Sequence, residues 1–389
     1  DEVETVAACV AQALQWLARA EVAGEVIVAD NGSTDGSPLA AQAAGARVVE
    51  APEPGYGSAV MAGTRVSRGR YVIMGDADAS YDFAALDGFL ERLRDGCDLV
   101  MGNRFRGEIK PGAMPPLHRY LGNPLLTAIG RLFFGSRCGD FHCGLRGFRK
   151  AVFERLELQT SGMEFASEMV VKATLHGLRI EELPIVLSPA GRTRPPHLQS
   201  WRDGWRHLRF LLLYSPRWLF LYPGAALMIV GLLASLWLLP GPVQVEHIAF
   251  DVQTLLYAAV ALVLGFQAVA FAIFTKAFAI REGMLPPDPK FARFLGSSFL
   301  EVGVIAGLLL VGAGIGGSIW AVLLWKSESF GPLQPSRTLR VIIPAATALM
   351  LGTQAILSSF FLSVLGLRSR HGDRLRESDY RPGPRLGGG

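Results

Sequence analysis

The chain has 389 residues, half of them hydrophobic, and a formal charge of +4. That length leaves room for two domains, and so small a net charge gives no reason to expect a nucleic-acid partner. The four cysteines, Cys9, Cys97, Cys138 and Cys143, contain no Cys-x-x-Cys unit, which argues for thiols in a reducing compartment and against a zinc site.

Hydrophobic residues are unevenly spread. Before about residue 210 charged and apolar segments alternate as in a soluble domain; beyond it come long uncharged runs. No signal peptide is recognisable. The opening Asp1-Glu2-Val3-Glu4-Thr5-Val6 lacks a Met and reads as the acid-rich first turn of a helix. A strand ahead of Asp1 is therefore expected to lie outside this sequence. Val6, Val10, Leu14 and Leu17 predict a helix over Thr5–Ala20. Glu25–Ala29 reads as a strand ending in the polar cluster 30–37, followed by an Ala-rich helix over 38–44. A short strand at 46–50, a loop and a helix at 58–66 follow. Tyr71-Val72-Ile73-Met74 is the next strand. Strands alternating with helices predict a parallel sheet covered on both faces.

The 71–74 strand runs into Gly75-Asp76-Ala77-Asp78-Ala79-Ser80-Tyr81-Asp82. Ligands of open α/β sheets bind beyond the carboxyl ends of the strands. Side chains two apart on extended chain point the same way, so Asp76 and Asp78 can share one hard divalent cation with substrate phosphates. Taken alone, the pair reads equally well as an acidic turn before a helix over Phe83–Leu93. The 30–36 cluster also follows a strand, which puts both acidic loops on one edge and favours the metal-and-phosphate reading. A further strand, 98–105, ends at Arg104, which could hold phosphate through its planar fork or form a surface ion pair.

Asp30-Asn31-Gly32-Ser33-Thr34-Asp35-Gly36, Gly75-Asp76-Ala77-Asp78, Gly102-Asn103-Arg104-Phe105 and Asp140-Phe141-His142-Cys143-Gly144-Leu145-Arg146-Gly147-Phe148-Arg149 together resemble glycosyltransferase family 2. More narrowly, residues 1–220 look like the polyprenyl-phosphate (dolichyl-phosphate) hexose synthases. The resemblance implies a GT-A fold, a Rossmann-like α/β domain that binds a nucleotide sugar. It implies that Glu2, Asp30, Asn31, Gly32, Ser33, Asp35 and Asp76 contact the nucleotide sugar. Asp76 and Asp78 would hold Mg2+ or Mn2+, and Arg104 would stand near the transferred phosphate, the three forming the catalytic set. Asp140 stands where the family has an acid close to the site. The chain departs from the family's pattern at Asn31, where a second Asp is usual, and at Ser80, a weaker ligand than the acid sometimes found there.

Residues 115–135 carry an apolar stripe, Leu117, Leu121, Leu125, Ile129, Leu132 and Phe133, with His118, Arg119 and Arg131 beside it. A basic amphipathic segment can lie in a membrane interface, although an ordinary buried helix fits as well; in the family the matching segment presents lipid phosphate. A helix over 163–176 starts with two acids, Glu164 and Glu168, and Ile180–Leu187 is a strand. In the basic loop 192–196 the resemblance puts Arg194 where the family has a lysine near the acceptor phosphate. Arg104, Arg119, Arg131 and Arg194 are thus the expected acceptor-phosphate residues. Over 198–214, Trp201 and Trp205 share a stripe beside Arg202, Arg206 and Arg209, which suits a headgroup boundary.

Four runs are long enough to cross hydrocarbon: 218–239, 252–274, 300–325 and 341–365. Lys and Arg gather in the 276–297 connection and after the last run, at Arg368, Arg370, Arg374 and Arg376, but are absent from 241–251. That bias predicts both chain ends on the cytoplasmic side, of a bacterial inner membrane. The runs lack the charge array of a pump or channel. Anchoring and homo-oligomer packing are their expected tasks, with the 312–317 glycine run permitting close helix contact. The expected architecture is a GT-A domain over 1–197, an interface helix over 198–217, a four-helix transmembrane domain over 218–366 and a basic tail over 367–389.

The expected activity is metal-dependent, inverting transfer of mannose or glucose from GDP-mannose or UDP-glucose to polyprenyl phosphate at the cytoplasmic face. A non-catalytic scaffold or lipid translocation partner with a degenerate transferase domain is the alternative. A processive polysaccharide synthase is disfavoured because the Gln-x-x-Arg-Trp helix and an acidic base are not found.

Overall fold

A computed structural model describes residues 1–193, 200–296 and 299–366. Arg194 and the arginines expected after the last run, Arg368, Arg370, Arg374 and Arg376, lie outside the described residues. The chain forms two compact units, Asp1–Ser215 and Pro216–Gly389.

The first unit runs α1 Val6–Arg19, β1 Ile27–Asp30, α2 Ser37–Ala43, β2 Arg47–Glu50, α3 Tyr56–Val66, β3 Tyr71–Met74, α4 Asp87–Arg94, β4 Leu99–Ile109, α5 Asn123–Phe134, β5 Arg146–Arg149, α6 Lys150–Leu156, α7 Phe165–Leu175, β6 Ile180–Leu187 and α8 Ser200–Leu213. β1 and β2 pair in parallel. The other strands form a four-stranded sheet in the order β3-β5-β4-β6. β4 and β6 are parallel, but β5 runs antiparallel to both β3 and β4. This corrects the all-parallel expectation. The Arg146-Gly147-Phe148-Arg149 segment offers a single large apolar residue and lacks the apolar run of a buried strand. It fits between its neighbours because Gly147 has no side chain: a Cβ there would stand 3.1 Å from Leu93 and 3.4 Å from Phe89.

Burial explains the rest of the layering. α1 turns Val6 and Val10 onto Ala41 and Ala46. α4 turns Phe89, Leu90 and Leu93 inward, where they meet Val100, Cys143, Leu145 and Tyr81. The same core thus grips β4, the 143–145 stretch and the residue just after the acidic motif. All four cysteines are buried and unpaired.

Among the described residues, the second unit holds four helices long and apolar enough to cross a membrane. α9 is Tyr222–Leu238, entered through a π-helical turn at Arg217–Leu221. A hairpin of β7 Val243–Val245 and β8 Ile248–Phe250 leads to α10 Val252–Arg281. The short α11 Pro289–Phe294 precedes α12 Phe299–Ser327 and α13 Pro335–Gly366. Small residues let backbones touch in two pairs. A Cβ on Gly265 would stand 2.6 Å from the Gly224 carbonyl oxygen, and one on Gly307 2.8 Å from that of Gly352. Within the 312–317 run only Gly314 and Gly317 meet α13; Gly312 and Gly316 face open space. Arg340 joins α13 to the Leu238 carbonyl and to Asp251, tying three helices at one end.

Candidate active site

The acidic motif leaves β3 and turns at Ala79, whose φ of +61° is left-handed for a non-glycine residue. Such a conformation costs on the order of 1–3 kcal/mol and persists where the surroundings over-determine it. Here Asp78 accepts a hydrogen bond from the Ser80 amide at 3.0 Å, and its carbonyl accepts from Gly191 at 2.8 Å. Burial, followed by the adjacent Asp78 charge, pushes the Asp76 carboxyl up to about 6, against the pull of Arg104, Arg146 and Arg192. Two like charges are therefore held together with three cations around them.

Gly144 is what lets Asp76 sit there. A Cβ on Gly144 would stand 2.5 Å from Asp76 Oδ2 and 3.1 Å from the Tyr81 ring. The Gly144 amide donates to the Tyr81 hydroxyl at 2.9 Å, fixing the approach. Arg146 is fully buried and donates to three backbone carbonyls, Cys143, Phe141 and Ala166, at 2.8–2.9 Å. It closes the 141–146 loop and leaves a permanent charge near Asp76.

Arg104 is also buried, and its fork is committed: Nε and Nη2 reach the two oxygens of Asp140 at 2.7 and 2.8 Å. Asp140 is fully buried, and its amide donates to Glu182, which also accepts from Gly139 and Asn103. The sequence-expected Arg104 thus stands beside the acidic pair with part of its donor set spent internally. Arg192, which the sequence suggested only as part of a basic loop, makes the direct contacts. It reaches Asp78 at 3.5 Å and pairs with Glu2.

Glu2 is drawn in from the other side. Its amide donates to Ser37 at 2.6 Å, the Val3 amide to Asp35 at 3.3 Å, and Thr5 Oγ1 to the Ala77 carbonyl at 2.7 Å. The 30–37 loop and the acidic motif therefore meet through residues 1–5. Within that loop Asp30 accepts from the Gly32 and Ser33 amides. Asn31 braces the neighbouring loop, donating to the Glu53 carbonyl at 2.9 Å and accepting from the Gly55 amide at 2.6 Å.

The residues expected to meet acceptor phosphate are not all together. Arg119 lies on a π-helical turn, His118–Gly122, a distortion frequent at functional sites. Burial, then the Arg104 charge, holds the neighbouring His118 below its usual value. Arg119 and Tyr120 line an open groove of about 490 Å³ with Gly112, Met114, Pro115 and Pro116. Arg131 is exposed in the last turn of α5, at the far end of that helix from the π-helical turn that carries Arg119.

Asp76 and Asp78 offer hard oxygen donors of the kind Mg2+ or Mn2+ takes. Among the described residues no third His, Cys, Asp or Glu joins them. Two carboxylates with the remaining positions left to water and phosphate oxygens are an ordinary set for such ions, so the residues present fit the cation.

A profile described as glycosyl transferase family 2 matches residues 1–157, and one for the family 2 C-terminal transmembrane region matches residues 273–366. The chain is 38% identical over 366 residues to the low-salt glycan biosynthesis hexosyltransferase Agl6 of Haloferax volcanii, covering 92% of this chain and 86% of that protein. The chain belongs to glycosyltransferase family 2. It is a membrane-integrated member, GT-A in its first unit and helical in its membrane unit apart from the β7–β8 hairpin, which corrects the all-α expectation, with hexosyltransferases among its relatives. A dolichyl-phosphate hexose transferase of the same organism is 33% identical over 163 residues, 41% of this chain and 68% of that protein. Among solved structures, mannosyl-3-phosphoglycerate synthase from Rubrobacter xylanophilus superposes with a TM-score of 0.45 at 19% identity, over 56% of this chain and 71% of that one.

Proposed function

We propose that this transferase moves a hexose, mannose or glucose, from GDP-mannose or UDP-glucose to the phosphate of a polyprenol lipid at the cytoplasmic face of the membrane, with inversion. One observation carries the reading: an acidic pair follows β3, with Arg192 3.5 Å from Asp78 and the charges of Arg104 and Arg146 acting on Asp76. Kinship to a hexosyltransferase and to a dolichyl-phosphate hexose transferase supports the sugar and the lipid.

The acceptor phosphate is already anionic, so no strong base is required. One of its oxygens attacks the anomeric carbon, the bond from that carbon to the donor's β-phosphate oxygen breaks, and the nucleoside diphosphate leaves with the electron pair. Asp76 and Asp78 would hold Mg2+ or Mn2+, which supplies charge neutralisation for a departing diphosphate. Arg192 gives up Asp78 when the donor enters and pairs with phosphate instead. Arg104, held in place by Asp140, and Arg119, at the groove, orient the acceptor. Positioning and fixed charge supply most of the rate. The exposed Leu117, Leu121 and Leu125 near the groove, with Trp201 and Trp205 on α8, give the domain an apolar surface suited to lipid headgroups.

The test is a donor screen: GDP-mannose, UDP-glucose and related donors with one polyprenyl phosphate and Mn2+, read out as lipid-linked sugar. A single-sugar lipid product is expected. No product from any donor would remove the reading, and a long glycan chain would replace it with a processive synthase.

A further inference from the structure

Two histidines that the transfer chemistry leaves unused meet inside the first unit. His142 belongs to the loop that carries Asp140; His207 belongs to α8. Their rings touch edge to face, with centroids 4.5 Å apart and planes at 84°. Both ring nitrogens of His142 are sealed from solvent and have no hydrogen-bond partner. Leaving such groups unpaired is costly, so the ring is not there for its own bonds. Its orientation is set by packing. His207 has a defined orientation: Nδ1 lies 2.9 Å from Ser167 Oγ on α7, and the residue is buried.

We propose that His207, acting through His142, is a positioning residue of the transfer reaction, by which α8 sets the place of the Asp140–Arg104 pair. The path is short. Ser167 orients His207, and His207 packs the His142 ring. The His142 amide then donates to Asp140 Oδ1 at 3.3 Å, and Asp140 holds Arg104 by its fork. The outer face of α8 carries Trp201 at 83% exposure and Trp205 at 58%. One helix therefore presents aromatic rings outward and His207 inward, so an event on its lipid-facing side reaches the arginine beside the acidic pair.

Both rings stay neutral at physiological pH. Burial brings His207 down to about 4, with Arg146 adding to the fall and Asp203 opposing it. Burial, then His207, Arg104 and Arg146, holds His142 well below its usual value. The contact between the rings is therefore a packing contact, which an aromatic ring without titratable nitrogens can supply at the cost of the Ser167 hydrogen bond.

The inference rests on the proposed function, and the experiment separates the two. His207→Ala, His207→Phe and Ser167→Ala are assayed in the intact protein beside wild type, with the KM of donor and of polyprenyl phosphate measured separately. His207→Ala is expected to raise acceptor KM about tenfold or more, as small misplacements near a reacting centre do, with donor KM unchanged. His207→Phe should recover most of the loss. In an Arg104→Lys background, where the fork is gone, His207→Ala should add little. Amide exchange over 139–146 gives a second readout independent of turnover and should speed up in His207→Ala and Ser167→Ala. Ser167→Ala, which loses only a hydroxyl, serves if His207→Ala does not fold. Unchanged acceptor KM and unchanged exchange in the folded variants would overturn the proposal while wild-type turnover upholds the proposed function. An equal rise in both KM values, or fully multiplicative losses with Arg104→Lys, would also overturn it. A wild type that transfers no sugar removes the proposed function, and with it this role.

Discussion

Gly144→Ala isolates the link between backbone shape and the acidic pair. The added Cβ would stand 2.5 Å from Asp76 Oδ2 and 3.2 Å from its Cγ. An ordinary carbon–oxygen contact needs about 3.5 Å, so the carboxylate must retreat by about 1 Å. Gly144 is not among the glycines with left-handed φ, so the backbone bears no strain and the effect falls mainly on Asp76, with a smaller push on the Tyr81 ring at 3.1 Å. Because the atom met is the end of a side chain, overpacking costs fold stability only about 1–3 kcal/mol. A displacement of about 1 Å at a reacting centre costs on the order of a hundredfold in rate. Turnover at fixed substrate with a Mn2+ titration, beside a melting curve, separates the two. The expected outcome is a folded protein with weakened Mn2+ dependence and roughly hundredfold slower transfer. A variant that melts like wild type and keeps its rate and metal response within about threefold would refute the reasoning.

Further outcomes follow from the same geometry. Asp140→Ala leaves the buried Arg104 charge without its partner and should cost about 3–5 kcal/mol of stability, seen as an early melt; a melt at the wild-type temperature would mean water reaches Arg104. The raised Asp76 carboxyl sets a pH dependence whose two halves run in opposite directions. As pH falls through about 6 Asp76 takes up a proton, so cation-dependent transfer should decline. Over the same interval the metal-free fold binds more protons at this group than the unfolded chain does, so its contribution to stability rises as pH falls; Asp76→Asn should remove both trends. In the membrane unit, Gly307→Leu pushes against the Gly352 backbone and should lower the melting temperature in detergent, whereas Gly312→Ala and Gly316→Ala, facing open space, should not.

Much of this was legible in the sequence because it rests on local pattern. The 71–74 and 180–187 strands match the structure, as does the start of a helix near Val6. The four membrane runs are all helical, though α10 continues seven residues past Phe274 and α13 begins at Pro335, because hydropathy marks the apolar part of a helix and not its end. β5 was hidden because Arg146-Gly147-Phe148-Arg149 has too little apolar content to signal a buried strand; only sheet pairing made it one. At the site, Glu2 and Asp78 are joined through Arg192, and Thr5 ties the first turn to the acidic motif. Arg192, which the sequence offered only within a basic loop, reaches Glu2 and Asp78 across the fold, a contact no local pattern announces. Arg146 stands out in the sequence only as part of the 140–149 motif, yet it is fully buried, a consequence of three carbonyls presented by its own loop and α7. The His142–His207 contact joins residues 65 apart, and no local pattern announces it.

The most direct test of the account is Mn2+ binding in the presence of nucleoside diphosphate, followed by electron paramagnetic resonance, for wild type, Asp76→Asn and Asp78→Asn. The account predicts saturable, nucleotide-enhanced binding in wild type and its loss in both variants, with Asp87→Asn, a surface acid paired to Arg19, behaving as wild type. Equal binding in all four proteins would contradict it.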